Sequence, residues 1–292
     1  MKVAVATDTN SGITVEEGAK LGVYVLPMPV LIDAETYYEG VTLTHDAFYG
    51  YQAAGRAVST SQPAPGDVMA LWDRALKEYD ELVYIPMSSG LSSSCQTAVG
   101  LAEGYGGRVQ VVDNHRISVT QRSSVLDALF MAESGCSAAG IKAELERTAF
   151  DSVIYIGVDT LEFLKRGGRI TPAAAAMGSI LQLKPILKIE GERLDAFATV
   201  RGRRACKQKV VDAMKRSVEE FYRRDWTVCI GAAGSFLSRE EDEEWLALAR
   251  ESFPGEEICH GVLALSIGCH TGPGAFGMAV SRRLNERAGE KR

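Results

Sequence analysis

Two short stretches of the chain crowd hydroxyl side chains together: Ser59, Thr60 and Ser61 in VSTSQPAPGD, and Ser92, Ser93 and Ser94 in PMSSGLSSSCQTA. A hydroxyl is a neutral donor that closes turns and caps helices, or holds an oxyanion such as a carboxylate. Pro63 and Pro65 fix φ and remove backbone donors, so the first stretch reads as an ordered turn between two helix-like segments, with Gly66-Asp67 opening the second. His270, one of four histidines, stands among glycines in SIGCHTGPGAFG, where its ring can be presented without crowding. It is either a packing histidine or a group that works near neutral pH. Ser92 with His270 would make a nucleophile and base for ester hydrolysis.

Several common chemistries lack their signatures. GxxxxGK[ST], HExxH and GxSxG are absent, and GPGAFG (Gly272 to Gly277) matches GxGxxG by letters only, because too little chain follows it for a strand-helix-strand unit. Six cysteines without CxxC spacing read as free thiols, and the Cys259-His260 and Cys269-His270 pairs match no zinc module. No metal site or cofactor is expected. A net charge of −6 argues against nucleic acid as a partner, although VRGRRACKQK is locally basic. The ordinary hydrophobic and charged fractions, 46% and 24%, with no long apolar run, point to a soluble globular protein. MKVAVATDT reads as a first strand and not as a signal peptide, which makes the cytoplasm the expected location.

The elements that must position these residues alternate. KVAVAT, VYVLPMPVLI (interrupted by its prolines), ELVYIPM and GRVQVVD read as strands, with helical patterns between them and from about Ile117 to Ala149. That alternation describes a three-layer α/β domain with a parallel sheet over residues 1–150. The loops TDTNSG, PMSSGLSSS and VDNHRIS all follow strand C-termini, where open α/β sheets bind ligands. Their convergence favours a binding role for Thr60 over a turn role. From residue 151 to 292, SVIYIGV, the pair KPILKIEGERLDAFATV, WTVCIGAA, EEICHGVLALSI and AFGMAVS mix with helices into a second, two-layer α/β domain with a mixed sheet. In LEFLKRGGRI, Gly167-Gly168 reads as a helix stop after Lys165-Arg166.

In order along the chain, TDTNSG, TSQPAPG, PMSSGLSSSCQTA, FLKRGGRI, LKPIL, VRGRRAC and HTGPGAFG resemble the DegV family, bacterial fatty-acid-binding proteins that serve as the FakB subunit of fatty acid kinase. The resemblance implies a DegV-like pair of α/β domains with one long-chain fatty acid between them. It implies a non-enzymatic carrier that presents the carboxylate to a separate ATP-dependent, FakA-like kinase subunit. The resulting acyl phosphate would feed acyltransfer machinery for phospholipid synthesis, with room for transient membrane contact. Residue by residue, Thr60 and Ser92 are carried over as carboxylate contacts, His270 as a site residue and Arg201 as a contact for the kinase or its phosphates. Ser61, Ser93 and Thr271 belong to the same binding set. Two departures stand out: Ser93-Ser94 where the family usually writes SGT, and SVTQR (Ser118 to Arg122) in place of a glycine-rich SxGxG, which would alter the far wall of the pocket. The rival readings are a stand-alone hydrolase and a carrier of another lipid.

Overall fold

A computed structural model of the protein describes residues 1–177, 183–191 and 193–284. The first half runs β1 (Val3–Asp8), α1 (Val15–Leu21), β2 (Val23–Leu26), β3 (Pro29–Ile32), β4 (Glu35–Tyr38), α2 (His45–Ala53), β5 (Val58–Thr60), α3 (Pro65–Ala75), β6 (Glu81–Ile85), α4 (Ser94–Ala102), β7 (Val109–Val111), α5 (Ser118–Glu133) and α6 (Ala138–Arg147). The second runs β8 (Ser152–Gly157), α7 (Glu162–Gly167), α8 (Pro172–Ala176), β9 (Leu183–Ile189), β10 (Asp195–Arg201), α9 (Arg203–Arg223), β11 (Val228–Gly234), α10 (Arg239–Ser252), β12 (Ile258–Val262), α11 (Leu265–Thr271) and β13 (Phe276–Arg282). The expected helix through residues 178–182 and the end of the expected second domain, 285–292, lie outside the described residues.

Strand β1 shows why the first sheet carries helices on both faces. Its alternate residues Val3 and Val5 pack with Val125, Ala128, Ile141 and Leu145 of α5 and α6, while Ala4 and Ala6 pack with Val68, Leu71 and Trp72 of α3 and Ala98 of α4. A period of two sends neighbours to opposite faces, and both faces are apolar here. The resulting three-layer sheet is parallel throughout, in the order β2-β1-β6-β7. All its strand C-termini therefore share one edge.

The second sheet is mixed, in the order β10-β9-β8-β13-β11-β12. One face is covered by α9 and α10 through Val210, Met214, Phe221 and Trp245. Its other face, with Ile156, Leu187 and Ile189, meets Leu91, Ile117 and Val119 from the strand-end loops of the parallel sheet and the start of α5. This is the two-layer arrangement expected, with its second face turned toward the first half of the chain.

Three local readings need correction. VYVLPMPVLI is not one strand: it divides into β2 in the parallel sheet and β3 in a separate three-stranded sheet, β4-β3-β5. Pro27 intervenes, and the chain leaves one sheet for the other. The hydroxyl run is in part a strand, since β5 pairs with β3 through Val30 and Thr60. EEICHGVLALSI ends as a strand at Val262, and α11 begins at Leu265, so His270 lies near the end of a helix.

Candidate functional site

Between the open face of the mixed sheet and the strand-end loops lies a cavity of about 1040 Å³, counting its mouth. Asn10 after β1, Met87 and Ser92 after β6, and Ile117 and Ser118 after β7 all line it, so the three loops do converge. Its inner wall is apolar, with Ile154, Ile156, Ile189, Leu194, Ala233 and Met278. The lining of this wall suits a mostly hydrocarbon ligand.

The polar end of the cavity is built around one hydrogen bond: Thr60 Oγ1 lies 3.0 Å from His270 Nε2. β5 brings Thr60 there as the last residue of the small sheet, and α11 brings His270. The hydroxyls do not cap the next helix. The N-cap of α3 is Ala64, which has no side-chain cap, and Pro65 stands at its first position. Capping, the ordinary explanation for the run, is therefore excluded for Thr60 and Ser61.

His270 is also more crowded than its glycines suggested. Its ring lies against Gly167, where a Cβ would overlap Nδ1, while Gly168 takes the left-handed cap of α7 at φ +67°. The double glycine thus serves two purposes: Gly168 ends the helix, and Gly167 makes room for the histidine. Burial, reinforced by the charge of Arg169, lowers the pKa of His270 to about 4. The ring is neutral at neutral pH, with one nitrogen donating and the other accepting.

Of the other expected residues, Ser61, Ser92, Ser93 and Thr271 also line the cavity. Ser92 Oγ accepts from the backbone N–H of Ser94 at 3.2 Å, and Ser93 Oγ donates to Gln62 Oε1 at 3.4 Å. Thr97 Oγ1 donates to the same Gln62 oxygen at 2.9 Å, so the glutamine of TSQP ties its loop to the serine loop. Thr271 is buried and donates back to the carbonyl of Ile267 at 3.3 Å. With His270 Nε2 directed to Thr60, no nucleophile–base pair joins Ser92 and His270 in this arrangement. Arg201 stands apart: it is exposed at the end of β10, one residue before Gly202, the N-cap of α9.

Several lining residues fall outside the expected site set, Arg169 among them. Arg169 lines the polar end and donates through Nε to the carbonyl of Leu91 at 3.2 Å. Its signal was present in KRGGR, where the residue after a double glycine re-enters the fold. A carboxylate at this end would meet a cation as well as neutral hydroxyls. Ser118 lines the wall with φ +56°, a left-handed strain for a residue with a Cβ.

The SVTQR departure was expected to change the far wall, but only Ser118 and Val119 of that run line the cavity. Thr120 Oγ1 donates to the carbonyl of Ile117 at 2.8 Å, Gln121 donates to Thr7, Asp8 and the carbonyl of Ile85, and Arg122 pairs with Glu17. Helical spacing turns those three side chains elsewhere. Among the described residues no three His, Cys, Asp or Glu side chains come together as a metal site, and no helix is long and apolar enough to cross a membrane.

Residues 2–283 match the family model for uncharacterised proteins of the DegV family. A DegV domain-containing protein of Deinococcus radiodurans is 33% identical over 284 residues, covering 96% of this chain and 98% of the relative. Among solved structures, one described as fatty acid binding of a DegV family protein from Thermus thermophilus superposes with a TM-score of 0.86 at 30% identity, covering 97% of this chain and 100% of that one. DegV of Bacillus subtilis, described as a fatty acid binding protein, gives 0.83 at 26% identity, with 97% and 100% covered. With the family model spanning nearly its whole length and a relative of this similarity, the chain belongs to the DegV family.

Proposed function

We propose that the protein carries one long-chain fatty acid in the cavity and presents its carboxylate at the Thr60–His270 end to a separate ATP-dependent kinase subunit. The single observation that carries the reading is the Thr60–His270 pair at the polar end of a cavity whose inner wall is apolar. The fatty-acid-binding relatives support it. Burial of ~15 methylenes at about 0.8 kcal/mol each offers on the order of 12 kcal/mol before ordering costs, so the tail supplies affinity and the head group only orientation. With the proton on Nε2, His270 donates to Thr60 Oγ1, which turns the threonine hydroxyl toward a carboxylate oxygen. Ser92 and Arg169 complete the polar end, and the second oxygen is left to attack a γ-phosphate.

In the same reading, Arg201 meets the kinase or the phosphates it carries, outside the cavity. The acyl phosphate would pass to acyltransfer reactions in the cytoplasm or at the membrane surface. Native mass spectrometry of protein purified from cells tests the reading. One bound fatty acid per chain that survives dialysis, converted to acyl phosphate when a kinase subunit and ATP are added, is the expected result. A different retained lipid would redirect it, and an empty protein that hydrolyses esters would overturn it.

A further inference from the structure

The small sheet β4-β3-β5 touches α11 at both ends. At the C-terminal end Thr60 meets His270, and Cys269 Sγ lies 3.9 Å from the carbonyl of Ser59. At the N-terminal end, just after β4, Glu39 reaches across: Oε1 accepts the backbone N–H of Leu265 at 2.6 Å, and Oε2 accepts the hydroxyl of Thr9 at 2.7 Å. The N-cap residue of α11 is Ala264, which has no side chain able to serve. Glu39 therefore supplies from a distant part of the chain the acceptor that a helix normally finds in its own N-cap. Between the two contacts, Leu265 and Cys269 pack with Val30, Ile32, Phe48 and Tyr49.

Resting on the head-group role given to His270 above, we propose that Glu39 is a positioning residue, whose carboxylate fixes α11 and thereby the register of His270 against Thr60. An ionised carboxylate suits the positive end of a helix, and a protonated one does not. Desolvation, with help from the nearby charge of Asp8 and against the hydrogen bonds of Leu265 and Thr9, raises the pKa of Glu39 to about 7. The charge on the acceptor at the start of α11 therefore changes as pH crosses neutrality, and with it the hydrogen bond to Leu265 that sets the position of the helix.

Other titratable groups surround it. Tyr49 on α2 and Cys269 on α11 are both held above their usual ranges by burial. The cleft that shares the Glu39 wall holds His45, Asp46, the Glu17–Arg122 and Asp242–His260 pairs, and Arg239. The four histidines make these contributions separable, because each ring can be followed by its own resonance.

The experiment is a histidine-ring NMR titration from about pH 5.5 to 8.5, with palmitate affinity measured in parallel on the same samples. In the wild type the His270 ring signal should move in a step centred near 7, well above its own titration. Glu39→Gln, neutral at every pH, should show no step and should at about pH 8 place the His270 signal where the wild type has it at about pH 6. Thr9→Val, which removes a donor to the carboxylate, should raise the midpoint and serves if Glu39→Gln does not fold. A His270 signal with the same pH response in these variants as in the wild type overturns the proposal. Loss of palmitate binding with the coupled step intact would instead count against the fatty-acid reading and leave the positioning role standing.

Discussion

The two ends of the cavity are built on different principles. The inner wall comes from regular strands, with Ile154 and Ile156 on β8, Ile189 on β9 and Ala233 on β11, and its chemistry is tolerant because any well-packed apolar side chain excludes water. The polar end is assembled from the tip of a small sheet, the end of a short helix, a double glycine and a strand-end loop, and it depends on one hydrogen bond of 3.0 Å. In the proposed reading, one end gives affinity by area. The other gives orientation by position, and mutations in the two should fail differently.

The largest effect is expected at the inner wall. Ile154 is only half-buried, so Ile154→Asp should leave a folded protein while putting a charge against the acyl tail. Fatty-acid retention should fall by at least ~100-fold, because burying an unpaired carboxylate or its proton costs several kcal/mol. Extraction and quantification of the copurified lipid checks this.

At the polar end the expected losses are smaller. Gly167→Ala should push the His270 ring away from Thr60 and cost about 1 to 3 kcal/mol in stability, as overpacking does. Thr60→Val removes the hydroxyl without a clash and should cost about 1 to 3 kcal/mol of binding with little change in melting temperature. If both variants lose binding and stability in the same proportion, the polar end acts as packing and the contrast between the two ends fails.

The pH dependence of stability separates two residues on either side of α11. His270 falls from its ordinary 6.5 to about 4 on folding, so the unfolded chain binds that proton first and stability drops as pH falls from about 6.5 to about 4. Glu39 rises from 4.5 to about 7, so the folded chain binds that proton first and stability drops as pH rises through that window. The two slopes oppose each other where they overlap. Denaturant midpoints followed against pH should therefore slope one way in His270→Gln and the other way in Glu39→Gln, with the wild type between them.

The smallest expected effect on lipid belongs to Arg201, exposed and away from the cavity. Arg201→Ala should retain fatty acid and thermal stability while slowing acyl-phosphate formation with a kinase subunit, more so at low salt where surface charge is least screened. Lost lipid with an unchanged phosphorylation rate would move Arg201 to the binding site.

Much of this was legible because regular periodicity reports regular burial. The apolar run KVAVAT reads directly as a first strand, and the strands that alternate with helical patterns up to residue 150 read directly as a parallel sheet. Thr60, Ser92 and His270 were legible as types in sequence order, since a resemblance preserves order. What the sequence hid were relations between distant segments. Nothing local to KRGGR shows that Gly167 faces a histidine about a hundred residues on, and nothing in YYEGV shows that Glu39 caps a helix beginning at Leu265. The prolines of VYVLPMPVLI mark an interruption, but not that its two pieces go to different sheets: they are similar in composition, and only their partners distinguish them.

The most direct test of the central claim is a native mass spectrum of the dialysed protein as purified, compared with that of Ile154→Asp. One fatty-acid mass per chain is expected on the wild type and none on the variant, with both proteins folded. A wild-type chain that carries no fatty acid, or an acyl mass that persists undiminished on Ile154→Asp, would contradict it.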